Sequence, residues 1–301
     1  MTPAPACTPL ENGFKEHLAT VRASVEQRLD ELLPESGNER DLIVQAMRES
    51  TLAPGKRMRP ILLMLAAEGL GQGGRQALEL GCAVEMVHAA SLVLDDMPCM
   101  DDARLRRGRP TVHLKFGQDV AILTAVALLS RAFAVVAGIQ DLPADTRTQL
   151  VEVLANAVGM QGLVRGQFQD LREGQGERSA EQIACTNTLK TGVLFSAIMD
   201  MAWMVSEAGA DKRTALQGFA MELGQAFQLY DDLQDSSPDN AKDQGKDEGK
   251  STFISLYGPH KVTQQLHQHL RTAQAHLDAA FEGEQHLVRY LQMIFNKVTV
   301  S

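Results

Sequence analysis

Aromatic residues, positive charge and strand-like patterns are all scarce in this chain. Only 5% of its 301 residues are aromatic, whereas Leu, Ala, Met, Gln and Glu, which favour helices, are abundant. Convincing period-two runs are absent, so the sequence predicts an all-α protein. The net charge is −9, which argues against nucleic-acid binding as the main function.

The chain also lacks targeting signals and metal-type cysteine patterns. Residues 1–13 have neither the basic start nor the apolar core of a signal peptide, and their prolines suggest a loose tail. The most apolar stretch, residues 120–139, is interrupted by polar residues, so we expect a buried core helix and no transmembrane span. The four cysteines lack the spacing of a metal site. This usage is typical of reduced thiols, and we expect a cytoplasmic protein.

Helical patterns follow one another to the C-terminus, and glycine and proline separate them. Helices are expected near residues 14–33, 40–50, 60–70, 76–97, 118–138, 147–172, 180–207, 213–236, 261–281 and 285–297. After the tail, the longest break is the charged loop 236–250. The sequence therefore predicts a flexible tail, residues 1–13, and a single all-helical domain, residues 14–301. We expect an antiparallel bundle around a central cavity.

Residues 88–110 carry four aspartates and four arginines directly after an apolar helical pattern. The helix delivers Asp95 and Asp96 at its C-terminal end, where its dipole disfavours carboxylates. Pro98 breaks the helix, and the break can fold Asp101 back towards Asp95. Crowded carboxylates need a cation, and an all-oxygen ligand set favours magnesium. By itself, the run can also be interpreted as a solvated loop of mixed charge.

A second acidic cluster, Asp231, Asp232 and Asp235, ends another apolar helical pattern. Asp231 and Asp235 lie on one helix face because they are four residues apart. Two such helix ends directed at one cavity could hold several divalent ions, an arrangement suited to polyphosphate chemistry. We therefore predict more than one magnesium ion in the site.

The basic residues lie where anions are expected. Pro60 suits the first helical position, which puts Lys56 and Arg59 at a helix N-terminus, where amides and the dipole favour an anion. An ordinary basic loop is the alternative. His88 is about two helical turns before Asp95 and shares its helix face, although such a histidine is more often a core residue.

In combination, the two aspartate-rich motifs and the GKRMR segment resemble the trans-isoprenyl diphosphate synthases over roughly residues 40–260. Within that family the chain is most similar to bacterial geranylgeranyl diphosphate synthases of carotenoid pathways. The resemblance implies the isoprenoid synthase fold, a homodimer, and magnesium-dependent condensation of isopentenyl diphosphate with dimethylallyl, geranyl or farnesyl diphosphate.

The resemblance also implies roles for individual residues. Isopentenyl diphosphate is expected at Lys56, Arg59, His88 and Arg107. The allylic diphosphate is expected at Arg106, Lys190, Lys242 and Lys250. Guanidinium groups suit diphosphate oxygens because they bind them in bidentate fashion. Asp170 is expected to face the metal ions, although it can also be a surface residue of an amphipathic helix. Thr191 and Gln228 are expected to offer oxygen dipoles to a carbocation.

Product length is expected to depend on Ala90 and Ser91. In the family, the growing prenyl tail runs along the helix that carries the first aspartate motif. Members that stop at fifteen carbons generally have an aromatic ring five residues before that motif, where this chain has Ala90. The small side chain predicts an open tunnel and geranylgeranyl diphosphate as the product. Alternatively, Ala90 packs against a neighbouring helix and Met86 or Val87 limits the length.

Three other functions are alternatives to this prediction. A farnesyl diphosphate synthase would differ only in product length. A terpene cyclase would leave GKRMR and the Arg106–Arg107 pair without a second diphosphate to bind. A catalytically silent partner subunit is disfavoured because both aspartate motifs are intact.

Overall fold

The computed structural model describes residues 9–173, 176, 178–235, 252–282 and 286–299. The α-helices in this part are α1 (Pro9–Leu32), α2 (Leu42–Leu52), α3 (Met58–Gly69), α4 (Arg75–Asp95), α5 (Val112–Phe116), α6 (Gln118–Ala137), α7 (Ala144–Val158), α8 (Leu163–Glu173), α9 (Ala180–Asn187), α10 (Val193–Met204), α11 (Ala210–Asp235), α12 (Phe253–Ala280) and α13 (His286–Thr299). A π-helical turn, Thr188–Gly192, joins α9 to α10. The predicted all-α architecture is confirmed.

Helix α4 lies at the centre of the fold and packs against α1, α2, α3, α6 and α10. It is apolar on nearly all sides, which is the pattern of a helix surrounded by others. Leu80, Val84 and Met86 are fully buried. The predicted core helix that ends in aspartates is therefore confirmed. Because the surrounding helices hold α4 in place, they also fix the position of Asp95 at its C-terminal end.

Two short strands, β1 (Leu105–Arg106) and β2 (Arg109–Pro110), form a hairpin after α4. Arg107 and Gly108 make its turn, with φ values of 53° and 75°. Two successive positive φ values are typical of a tight hairpin turn that matches strand twist. Each strand has only two residues, too few for a period-two pattern, so the sequence did not predict the hairpin.

Several predicted helix bounds differ from the structure. Helix α1 begins at Pro9, inside the predicted tail, because proline is tolerated in a first helical turn. The helix predicted over residues 147–172 is two helices, because Gly159 adopts an extended conformation, with φ −75° and ψ −154°, and ends α7. Helix α12 begins eight residues before the predicted start and kinks at Gly258, where φ is 75°. The division into tail and domain stays a prediction.

Helix α6 is only half buried, which corrects the expectation of a core helix. One face, with Ala121, Ala125 and Leu128, is fully buried. The other exposes apolar side chains, and Ile122 and Val126 are 48% and 55% exposed. By length and composition alone, α4 and α6 are each apolar enough to cross a membrane, a test that core helices also pass.

Candidate active site

The chain turns back on itself directly after α4. The backbone N–H of Asp101 donates to the carbonyl oxygen of Asp95 at 2.9 Å, and that of Asp102 donates to Met97 at 3.0 Å. Asp102 adopts a left-handed backbone conformation in this turn, with φ 47°. The predicted return of Asp101 towards Asp95 is therefore confirmed, and two carboxylates share the end of α4.

Asp96 is directed to the hairpin. Its side chain is buried and accepts a hydrogen bond from Nε of Arg106 at 3.0 Å, with a second from the Nη2 group. Burial alone would lower the pKa of Arg106, but the hydrogen bond and charge of Asp96 raise it. This bidentate pair fixes the position of the Arg106 guanidinium. The assignment of Asp96 as a metal ligand stays a prediction.

Asp95 is a poorly solvated carboxyl with charges of both signs around it. Burial raises the pKa of its carboxyl to about 6, the charge of Lys190 opposes the rise, and Asp101 adds to it. A raised carboxyl pKa means that the ionised form is destabilised there. A divalent cation would stabilise that form, so the donor atoms fit a magnesium ion.

Lys190 connects the first acidic cluster to α8. Its Nζ donates to Oδ2 of Asp170 at 2.8 Å. Burial alone would lower the pKa of Lys190, but three surrounding carboxylates raise it, those of Asp170, Asp95 and Asp101. The structure thus brings Lys190, Asp170 and the end of α4 into one electrostatic group, although they come from separate parts of the sequence.

The π-helical turn that carries Lys190 and Thr191 is packed closely on two sides. A Cβ on Gly166 of α8 would lie 2.5 Å from the backbone nitrogen of Lys190. A Cβ on Gly224 of α11 would lie 2.8 Å from the Cα of Gly192. Such turns are rare in proteins as a whole, but those that occur are often found at functional sites. The sequence predicted one uninterrupted helix here, and these glycines are the signal that could have indicated the close packing.

The second acidic cluster lies on α11, beyond its contact with the π-helical turn. Gln225 donates to Oγ1 of Thr188 at 2.9 Å, which fixes the helix against the turn. Gln228, one turn after Gly224, donates its amide to Oδ1 of Asp232 at 2.9 Å. Asp231 and Asp232 are half-buried, and Asp235 is the last residue of α11.

Arg59 and His88 form a basic site separate from the acids. Nη1 of Arg59 lies 3.3 Å from Nε2 of His88, and its guanidinium lies over the Phe195 ring, 5.3 Å from the centroid. Burial and the nearby charges of Arg59 and Arg107 lower the pKa of His88 well below its ordinary value. The ring is therefore neutral at neutral pH. Burial is also the main reason why the pKa of Arg59 is lowered.

Arg107 extends this basic site to the loop before α3. Its Nη1 donates to the Pro54 carbonyl at 3.1 Å, and Gly55 lies so close that no Cβ would fit beside the guanidinium. Lys56 follows in the same loop and is exposed. Three of the predicted isopentenyl diphosphate ligands, Arg59, His88 and Arg107, are thus electrostatically coupled.

Arg57 and Glu85 form a buried ion pair that the sequence reasoning missed. Nη1 of Arg57 donates to Oε1 of Glu85 at 2.9 Å, and the side chains are 2% and 4% exposed. Arg57 also donates to the carbonyls of Thr51 and Ala53, so it closes the loop before α3. The feature that could have indicated it is Glu85, a carboxylate within the apolar part of α4. Pro60 is the third residue of α3 and not the first as predicted, because Arg57, with φ 48°, caps the helix.

The remaining predicted residues differ in how far the structure describes them. Ala90 is fully buried, as are Met86 and Val87. Ser91 donates its hydroxyl to the His88 carbonyl at 2.9 Å. Their role in product length stays a prediction. Lys242 and Lys250 lie outside the described residues.

The chain is similar to known proteins over most of its length. Residues 40–297 match the family model described as polyprenyl synthetase. The chain is 53% identical over 277 residues to a geranylgeranyl diphosphate synthase from Pantoea ananas, covering 91% of each chain. It is 48% identical over 272 residues to a geranylgeranyl diphosphate synthase from Pseudescherichia vulneris, covering 89% of this chain and 88% of the other. A solved FPP/GFPP synthase from Zymomonas mobilis shares 33% identity at a TM-score of 0.82, covering 94% of this chain and 97% of that one.

Proposed function

The chain belongs to the polyprenyl synthetase family, and from this premise we propose that it is a magnesium-dependent geranylgeranyl diphosphate synthase. It would condense isopentenyl diphosphate with dimethylallyl, geranyl and farnesyl diphosphates, for isoprenoid and carotenoid biosynthesis. The observation that carries the proposal is a basic site, Arg59 with His88 and Arg107, beside a separate acid-lined site centred on Lys190. Two such sites suit two diphosphate groups, only one of which is a leaving group in the reaction.

Isopentenyl diphosphate occupies the basic site in this proposal. Burial and like charge destabilise the cationic forms there, and a bound diphosphate would relieve both effects. Neutral His88 can share a hydrogen bond with a diphosphate oxygen. Lys56, on the exposed loop, adds a further charge. No reaction of this diphosphate is required, so the site needs no metal.

The allylic diphosphate occupies the acid-lined site. Magnesium ions would be held by Asp95, Asp101, Asp170, Asp231 and Asp235, with Asp96 and Asp232 beside them. When bound, they neutralise the diphosphate as a leaving group. Lys190 and Arg106 hold its oxygens, and Lys242 and Lys250 are proposed to add to this charge.

The chain's own groups then stabilise the charges that develop during the reaction. Lys190 and Arg106 stabilise negative charge on the departing diphosphate. Gln228 donates its amide nitrogen to Asp232, so its amide oxygen is the group it can offer to an allylic carbocation. Thr191, buried in the π-helical turn, offers a second oxygen dipole. The double bond of isopentenyl diphosphate attacks the carbocation, and a proton passes to the released diphosphate.

The product is proposed to have twenty carbons, because Ala90 is too small to close a tunnel beside α4. The two relatives that share about half of their residues with this chain carry the same product in their names. Incubation with isopentenyl diphosphate, each allylic starter and Mg²⁺, followed by chromatography of the dephosphorylated products, tests both parts. A fifteen-carbon end product would favour a farnesyl diphosphate synthase. Absence of any longer diphosphate would refute prenyl transfer altogether.

A cytoplasmic homodimer is the proposed assembly. The exposed apolar face of α6, with Ile122, Leu123 and Val126 each about half exposed, supports it because burial of such a face is favourable. The described cysteines, Cys82, Cys99 and Cys185, are free thiols, which suits a reducing compartment. Light scattering should give twice the chain mass for the native protein. Val126→Asp should give the single-chain mass, while Leu256→Asp, an exposed position on α12, should not.

A further inference from the structure

Two histidines and a glutamate meet where the first, third and last helices come together. His17 lies on α1, Glu68 on α3, and His286 is the first residue of α13. One nitrogen from each ring and one carboxylate oxygen all lie within 4.8 Å of one another. Nε2 of His17 is 2.9 Å from Oε2 of Glu68, and the two imidazole rings are 4.7 Å apart between centroids. None of the three belongs to the diphosphate sites.

The donor set differs in kind from the aspartate clusters. Two imidazoles and one carboxylate suit zinc and similar transition ions, whereas magnesium prefers oxygen ligands and retains water. Phe14 packs against the His286 ring at 5.4 Å, which restricts its orientation. The side chains of His17 and Glu68 are 33% and 28% exposed, so an ion can reach them from solvent.

The spacing is close to that of a bound ion. Ligands at about 2.0–2.2 Å from a tetrahedral zinc ion are roughly 3.4 Å apart. The hydrogen bond between His17 and Glu68 is shorter than this spacing, so an ion would replace the shared proton and separate the two atoms slightly. The three donor atoms lie within 4.8 Å of one another, so no pair has to approach by more than about 1.4 Å to reach this spacing.

We propose that His17, Glu68 and His286 bind one zinc-type divalent ion, with water completing its coordination. The ion joins α13 to α1 and α3, so it stabilises the docking of the last helix on the body of the protein. This structural site is independent of the magnesium required for prenyl transfer.

Cobalt binding tests the site directly, because Co²⁺ adopts similar coordination and absorbs visible light. Chelator-treated protein is titrated with Co²⁺ in a large excess of Mg²⁺, which occupies the oxygen-rich clusters. One equivalent should bind with the spectrum of nitrogen and oxygen ligands and without a thiolate band, which excludes Cys99 and Cys185. His17→Ala and His286→Ala should each lower the affinity about 100-fold or more. His260→Ala, an exposed histidine on α12, should not change it.

Glu68→Gln separates a metal site from a simple hydrogen bond. Glutamine keeps an acceptor for His17 but removes the charge that a cation requires. We expect the metal-free variant to melt near the native temperature and to lose most of its cobalt affinity. Zinc at a hundred times its Kd should raise the Tm of the native protein by about 5 °C and leave that of Glu68→Gln unchanged. Cobalt affinity unaffected by the three substitutions, or no Tm rise with zinc, would overturn the proposal.

Discussion

Two ion pairs of almost the same length differ in their burial. Lys190–Asp170, which we call the open pair, has a distance of 2.8 Å and side chains that are 32% and 14% exposed. Arg57–Glu85, the sealed pair, has a distance of 2.9 Å and exposures of 2% and 4%. An open pair can exchange its partner for a diphosphate, whereas a sealed pair cannot. We therefore expect the open pair to take part in substrate binding and the sealed pair to support the loop before α3.

The largest expected effect is a loss of turnover on substitution of Asp95, which lies near the open pair. Asp95→Asn should lower kcat by about 1000-fold, roughly 4 kcal/mol, because leaving-group stabilisation is lost. The fold should remain, since the substitution removes a carboxyl that is already destabilised by burial. Steady-state kinetics and circular dichroism check the two parts. Normal turnover by a folded variant would refute the metal cluster.

Glu85→Gln tests the sealed pair through stability. It removes the buried counter-charge of Arg57 and leaves only the exposed Glu26, whose carboxylate oxygen lies 3.8 Å from Nε of Arg57. This loss should cost about 3 kcal/mol in the free energy of unfolding. Urea denaturation measures it. Glu31→Gln, which breaks an exposed pair with Arg28, is the matched control and should change stability little. Equal effects of the two variants would mean that burial does not distinguish these pairs.

Lys190→Ala should lower turnover and leave stability nearly unchanged, in contrast to Glu85→Gln, which should lower stability. Its pair with Asp170 is partly exposed, so the unfolding free energy should change by about 1 kcal/mol or less. Turnover should fall by about 100-fold, because the leaving diphosphate loses a charge-assisted contact. If the variant lost stability but kept its kcat, Lys190 would have a structural role like that of the sealed pair.

Arg59→Ala removes a proposed substrate contact next to the loop that Arg57 closes. The apparent KM for isopentenyl diphosphate should rise about 10- to 100-fold, as for loss of a charge-assisted hydrogen bond. The KM for the allylic substrate should stay nearly constant, since Arg59 approaches His88 and not the acidic cluster. Equal rises for both substrates would show that the division into two diphosphate sites is wrong.

Ala90→Phe should have the smallest effect on rate, because it alters neither ion pair. The ring should close the proposed tunnel and shift the product to farnesyl diphosphate, with little loss of total condensation. The position is fully buried, so stability is measured alongside to detect overpacking. Chromatography of the dephosphorylated products decides the outcome. Unchanged twenty-carbon output would show that Ala90 does not limit product length.

Local rules account for the features that could be predicted. Pro98 ends α4 near Asp95 because it cannot continue a helix. Ser179 and Gln182 form a capping box at the start of α9, a motif that depends on residues only three positions apart. The return of Asp101 to Asp95 also spans few residues. In each case the interacting groups are neighbours in the chain, so a pattern of residue types is sufficient.

Other features depend on contacts between distant segments and were therefore missed. The π-helical turn is held where Gly166 and Gly224 let α8 and α11 approach it. Arg57 finds Glu85 across 28 residues, and no spacing rule connects them. Similarly, α6 has apolar residues on all sides, and only its packing against α2, α4, α5 and α7 determines which face remains exposed.

The sequence by itself determined the helical class, the two acidic helix ends and the types of group proposed to bind diphosphate, because these follow from local periodicity and residue chemistry. Only the tertiary structure decided that Asp96 pairs with Arg106, that Lys190 joins Asp170 to Asp95, and that Arg57 is sealed while Lys190 is open. The physical reason is that burial and charge pairing depend on what the rest of the chain places around a side chain, and local sequence carries no record of that.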